Sequence, residues 1–166
     1  MDKTLILNDK QIKHRIERIA YQIFEDNHTE KEIIIAGIAK TGYVFAQKIE
    51  KALNKISSAK TILIKITVDK DKPLHTTIED GFSEKTLKNK VVILADDVLN
   101  SGKTMIYAMR TFLNADVKKI RTVLLVDRDH KRYPIAADYV GLTLSTTLRE
   151  HISVEFSSKG NAVYLQ

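Results

Sequence analysis

Apolar residues recur along this chain with two spacings. From Asn8 to Asn27 they fall at Ile12, Ile16, Ile19, Ala20, Ile23 and Phe24, steps of three and four that gather them on one side of a helix. Asn8 or Asp9 serves as its N-cap. Ile33-Ile34-Ile35-Ala36 is a continuous apolar run, bounded by charge before and Gly37 after, as expected of a strand covered on both faces. Residues 43–53 return to helical spacing through Ala46, Ile49 and Leu53. Ile62, Ile64, Ile66 and Val68 mark every second position and predict another strand. Val91–Ala95 and Ile120–Val126 predict two more buried strands. A helix over 102–114 separates them, with Met105, Ala108, Met109 and Phe112 inward. Short strands are expected over 137–140 and 152–156, and over 162–165 after a turn at Lys159-Gly160-Asn161. The stretch 69–90 is polar and carries Pro73 and Gly81. It reads as a long loop with room for one short strand, and loops of that length are commonly functional.

Helices alternating with buried strands predict an α/β fold. We expect one domain spanning 1–166, an open and mainly parallel sheet with helices on both faces, and a small hood of short strands. Such sheets bind ligands at the carboxyl ends of their strands, which points to the loops after Ala36, Val68, Ala95 and Val126.

Composition narrows the picture. The 166 residues include no Cys, which excludes disulfides and thiolate metal sites and fits a cytoplasmic protein. A domain of this size buries roughly 70% of its unfolded surface and needs no covalent staple. No apolar run approaches the length of a membrane span, and Met1-Asp2-Lys3-Thr4-Leu5 has no signal-peptide character. The net charge of +6 suits a polyanionic small substrate or RNA. Lys13, His14, Arg15 and Arg18 fall on the outer face of the first helix as candidate phosphate contacts. The five His show no metal-ligand spacing; His130 alone lies in a loop where chemistry is expected.

The loop after the third buried strand carries the strongest signal. Asp96-Asp97 at the strand end offers two carboxylates to a pair of vicinal hydroxyls. Asn100-Ser101-Gly102-Lys103-Thr104 follows, a turn of small residues opening a helix, which is a natural phosphate site. Diol and phosphate are thus served about one turn apart, the pattern of a ribose 5-phosphate. A P-loop shares the ending Gly102-Lys103-Thr104 but needs Gly where Asp97 stands, and a carboxylate there repels the phosphates that such a loop cradles.

Val91 to Thr104 resembles the phosphoribosyl pyrophosphate motif of type I phosphoribosyltransferases. The resemblance implies that Asp96 and Asp97 hold the ribose hydroxyls and that Asn100, Ser101, Gly102, Lys103 and Thr104 wrap the 5-phosphate. It further implies that Ala39, Lys40, Thr41 and Gly42, after the first buried strand, bind pyrophosphate, with a non-proline cis peptide expected at Ala39-Lys40. By the same resemblance Asp127, Arg128, Tyr139 and Val140 lie at the base, with Tyr139 stacking on it and the Val140 backbone reading its edge.

Within the family, Val126-Asp127-Arg128-Asp129-His130 and Pro134 to Gly141 are most similar to the pyrimidine operon attenuator branch, RNA-binding regulators that also have uracil phosphoribosyltransferase activity. The resemblance runs from about Asn8 to about Val154. It implies transfer of phosphoribosyl to uracil, with Mg2+ held mainly by substrate and water, and a homo-oligomer. Transfer to a purine is one alternative. The other is a nucleotide-sensing RNA-binding regulator with little catalysis. The chain departs from the branch at Asp69-Lys70, where a Tyr-Arg pair is usual, and at Ala39 and Thr41, where Arg is favoured. Lys70 keeps the positive charge of a catalytic loop residue but not the guanidinium fork.

Overall fold

The computed structural model describes residues 3–69, 71–79, 82–147 and 149–166. Strand β1 (Thr4–Leu7) precedes helix α1 (Asp9–Asp26). The chain continues through β2 (Glu32–Ile38), α2 (Thr41–Leu53), β3 (Lys60–Val68), β4 (Thr76–Ile78) and the single turn α3 (Glu84–Leu87). Then come β5 (Val91–Leu99), α4 (Lys103–Leu113), β6 (Lys119–Asp127), β7 (Tyr139–Thr143), β8 (Ile152–Ser157) and β9 (Gly160–Leu165). Strands β4-β3-β2-β5-β6-β7 lie side by side in that order, all parallel except the β3–β4 return. A second, antiparallel sheet has the order β1-β9-β8. The open, mainly parallel sheet is the one the apolar runs predict. Lys70 and Gly81 lie outside the described residues.

Alternate positions of the buried strands point to opposite faces. Ile33, Ile35, Ile93 and Leu125 pack against Ile12, Ile16 and Ile19 of α1 and Phe45 and Ile49 of α2. Ile34, Val92, Leu94 and Leu124 face Met105, Ala108 and Phe112 of α4. Because helices cover both faces, neither set can be polar, and each buried aliphatic side chain contributes about 1.5–3 kcal/mol by leaving water. Leu7, Val154 and Val163 of the small sheet join the α1–α2 layer.

Several elements differ from the sequence expectation, among them the helical turn α3 inside the stretch 69–90 expected as loop. β5 runs past Ala95 to Leu99, because its ladder with β6 continues through Asp96↔Leu124, Val98↔Val126 and Leu99↔Asp127. Backbone pairing is indifferent to the polar side chains that end the apolar run. β7 starts at Tyr139 rather than 137 and ends at Thr143. β1 is too short to display a period.

Asn8 caps α1 through a reciprocal pair with Gln11, each side chain accepting the other's backbone N–H at 2.9 Å. Asp9 instead accepts from the backbone N–H and the side-chain amide of Asn161, tying α1 to β9. On the outer strand β7, the carbonyls of Val140 and Gly141 accept from Arg18 at 2.7 and 2.9 Å, and Gly141 also accepts from Arg15 at 2.8 Å. These two arginines therefore cover a sheet edge that would otherwise invite pairing. Of the candidate phosphate contacts on α1, Arg15 and Arg18 are thus committed to protein carbonyls, while Lys13 and His14 are exposed. No helix among the described residues is long and apolar enough to cross a membrane.

Candidate active site

The carboxyl ends of β2, β5, β6 and β7 bring the chemistry-bearing loops together. After β5, Gly102 takes φ +82° as the N-cap of α4, a conformation that a side chain disfavours. The turn places Ser101 Oγ as acceptor for the Lys103 N–H at 3.3 Å. Asp96, Leu99, Asn100, Ser101, Gly102 and Thr104 line a cavity of about 50 Å³ here, at the positive end of the helix dipole. Lys103 and Asn100 are exposed at its rim.

Loop 39–42 approaches from β2. Its Ala39 N–H donates to the Ile66 carbonyl at the end of β3, at 2.8 Å, and the Ala39-Lys40 peptide is cis. Thr41 opens α2, and Lys40 is exposed. A Cβ added at Gly42 would lie 2.6 Å from Asp96 Oδ1 and 3.0 Å from Asp96 Cα. Gly42 is thus what lets this loop touch the acidic end of β5. Asp96 also accepts from the Asp97 backbone N–H at 2.9 Å, which fixes the carboxylate at the mouth between the two loops.

The segment after β6 braces the phosphate cradle. Ser101 O accepts from Arg132 N–H and Tyr133 N–H, and Leu99 O from Arg128 N–H. The Arg128 guanidinium donates to Asn100 Oδ1 at 2.9 Å and Thr146 Oγ1 at 3.0 Å. It also donates to the carbonyls of Thr147 and Glu150, at 3.2 and 2.8 Å. His130 Nε2 bonds to the Thr146 carbonyl.

The four residues expected at the base all have protein partners. Asp127 is only 5% exposed, accepts from the Asp129 N–H and pairs with Lys131 at 3.0 Å, so its carboxylate organises its own loop. Tyr139 lies opposite Val123, midway along β6, and is 6% exposed. Its hydroxyl donates to Asp26, which also receives Lys119 and Arg121. That hydroxyl, above all, holds the Asp26 carboxyl down to about 2, while burial pushes the Tyr139 hydroxyl up. Val140, next along, spends its carbonyl on Arg18. Both residues sit in the amino-terminal half of β7, away from the end where parallel sheets bind ligands. Arg128 is at the right end, but its donors serve protein acceptors.

A phosphoribosyl transferase domain profile matches residues 4–159. The chain belongs to the phosphoribosyltransferase family. Within that family it is 34% identical over 162 residues to the bifunctional protein PyrR of Clostridium novyi, covering 93% of this chain and 91% of that one. A PyrR from Staphylococcus aureus is also 34% identical, over the whole of both chains. Among solved structures, a hypoxanthine phosphoribosyltransferase of Trypanosoma cruzi superposes with a TM-score of 0.77 at 17% identity, covering 98% and 96% of the two chains. One from Staphylococcus aureus gives 0.73 at 20%, covering 87% and 80%. These two show the fold.

In this phosphoribosyltransferase, Asp96, Asp97, the turn 100–104 and the loop 39–42 lie together at the carboxyl ends of β2 and β5. Thr146, Thr147 and Glu150, at the carboxyl end of β7, are site-side residues that the sequence reading missed. The signal for them is the polar run Ser145-Thr146-Thr147 directly after a strand, legible only once β7 is extended to Thr143.

Proposed function

We propose that this phosphoribosyltransferase moves the phosphoribosyl group of phosphoribosyl pyrophosphate onto a nucleobase, with uracil the preferred acceptor, and releases pyrophosphate. The contact of Gly42 with Asp96 carries the proposal, because it sets one anion-binding loop on each side of a carboxylate pair. The 5-phosphate fits the N–H groups of 101–104, and the vicinal ribose hydroxyls donate to Asp96 and Asp97. Pyrophosphate lies along 39–42, with Lys40 neutralising its charge. The C1–oxygen bond breaks with its electron pair leaving on pyrophosphate, and C1 bonds to a ring nitrogen of the base. Asp97 takes the proton which that nitrogen loses. Positive charge developing on the ribose faces the carboxylates, so catalysis rests on positioning and electrostatics rather than on a covalent nucleophile.

The donor chemistry of the mouth fits Mg2+. Asp96 and Asp97 offer hard oxygens, too few to fill an octahedron, so the ion is held mainly by substrate and water. Bound there, it neutralises charge on the leaving pyrophosphate. Similarity to the PyrR proteins over nearly the full chain supports a pyrimidine acceptor.

The test is pyrophosphate release from phosphoribosyl pyrophosphate and Mg2+ with a panel of bases. Release dependent on uracil is expected. Release with hypoxanthine or guanine alone would move the acceptor to purines, and no release with any base would contradict the proposal.

A second role, RNA binding, is favoured by one observation. A groove of about 520 Å³ between α1 and α2 is rimmed by Lys13, Lys48, Lys51 and Lys55. RNA affinity should fall steeply with salt and drop in a Lys51→Glu, Lys55→Glu variant. Absence of binding at low salt would remove this role.

A further inference from the structure

The guanidinium of Arg128 reaches both halves of the site at once. Its Nη1 donates to Asn100 Oδ1, on the 5-phosphate cradle. Its Nε and Nη2 donate to Thr146 Oγ1, Thr147 O and Glu150 O, on the segment that follows β7. That segment has its own closure, since Glu150 accepts from the Thr147 N–H at 2.6 Å. Its link back to the large sheet runs through Leu144 N–H to Asp127 O at 2.9 Å, through His130 and through Arg128. Arg128 itself is anchored by its backbone N–H to Leu99 O, at the end of β5.

We infer that Arg128 is a positioning residue that couples the two substrate subsites: occupancy of the 5-phosphate cradle orders the base-side segment through the Asn100–Arg128–Thr146 bridge, without contact between Arg128 and the base. The inference rests on the proposed function for the 5-phosphate subsite, and it takes the segment after β7, at the carboxyl end of the sheet and bridged to the cradle by Arg128, as the acceptor side. The planar fork is what makes the bridge possible. It holds acceptors on different segments in fixed relative positions, which a lysine ammonium on a flexible stem does not. A phosphate that fixes Asn100 also fixes one corner of that fork. The corners facing Thr146, Thr147 and Glu150 then lose freedom too, and coupling free energies of this kind typically alter affinity by about 5- to 150-fold.

Hydrogen exchange of the full chain with ribose 5-phosphate, which carries no leaving group, tests this. Addition should slow exchange at 100–104 and also slow it about fivefold or more at 144–147 and 149–151. In Arg128→Lys the cradle should still be protected while the distant protection disappears. Thr146→Val, which cuts the bridge at its far end, should reduce that protection with the fold intact. In turnover, both variants should raise KM for the base several-fold more than KM for phosphoribosyl pyrophosphate. Protection confined to 100–104 in the wild type, or distant protection that persists in Arg128→Lys, overturns the coupling. Failure of ribose 5-phosphate to protect 100–104 at all overturns the proposed function, and the coupling with it.

Discussion

Gly42 and Asp96 touch so closely that the site depends on the absence of a single methyl group. A Cβ at Gly42 would lie 2.6 Å from Asp96 Oδ1, so Gly42→Ala must push the carboxylate aside. Misplacement of a catalytic group by about 1 Å costs roughly 10²-fold in rate. We expect Gly42→Ala to lower kcat by about that factor, and to lower the thermal midpoint as well, because the added Cβ also presses on the Asp96 Cα and the Ala95 carbonyl at 3.0 and 3.3 Å. A variant with wild-type kcat would detach Asp96 from the chemistry. Asp96→Asn with Asp97→Asn should reduce turnover by about 10²- to 10³-fold or more, on the scale of losing a transition-state electrostatic partner. At this scale the sequence was legible where neighbouring residue types fix a local shape, as with two carboxylates leading into a turn and a helix. It misled where the role depends on depth along a strand. Tyr139 is an aromatic in the expected stretch, yet its register opposite Val123 buries it.

The α1–β7 contact is held by polar groups at an edge. Arg15 and Arg18 satisfy carbonyls of β7, and Asp26 at the end of α1 collects Tyr139, Lys119 and Arg121. Asp26 has its carboxyl lowered to about 2, so its ionised form is favoured by folding. The stability it adds is therefore fully present above the ordinary carboxylate range and is lost as pH falls toward about 2. Denaturant midpoints measured from pH 5 to pH 2 should fall less steeply in Asp26→Asn than in the wild type; equal slopes would remove Asp26 from the acid response. Arg15→Ala with Arg18→Ala should lower the melting temperature and promote self-association through the bared edge. Light scattering and a melting curve together check this, and an unchanged scattering mass with an unchanged midpoint would contradict it. None of this was legible in the sequence. Helical spacing says that Arg15 and Arg18 leave the apolar face, but not that an edge strand from 122 residues later lies beside them.

For the whole molecule, the architecture was written in the apolar runs. A strand covered on both faces has to be apolar throughout, and β2, β5 and β6 obey that over their central residues. Phe112 of α4, fully buried against the second face, should cost about 3–5 kcal/mol on truncation to Ala, read from denaturant unfolding. The carboxyl-end rule then places the ligand loops without further information. What the runs do not encode is where a ladder continues beneath polar side chains. For that reason the ends of β5 and β7, and with them Thr146, Thr147 and Glu150, emerged only from the fold.

The most direct measurement is an amide NMR titration of the full chain with phosphoribosyl pyrophosphate and Mg2+. The largest shifts should fall at Asp96–Thr104 and Ala39–Gly42, with Tyr139 and Val140 little affected. Shifts centred on the lysine groove between α1 and α2, or on Tyr139 and Val140, would contradict the placement of the site.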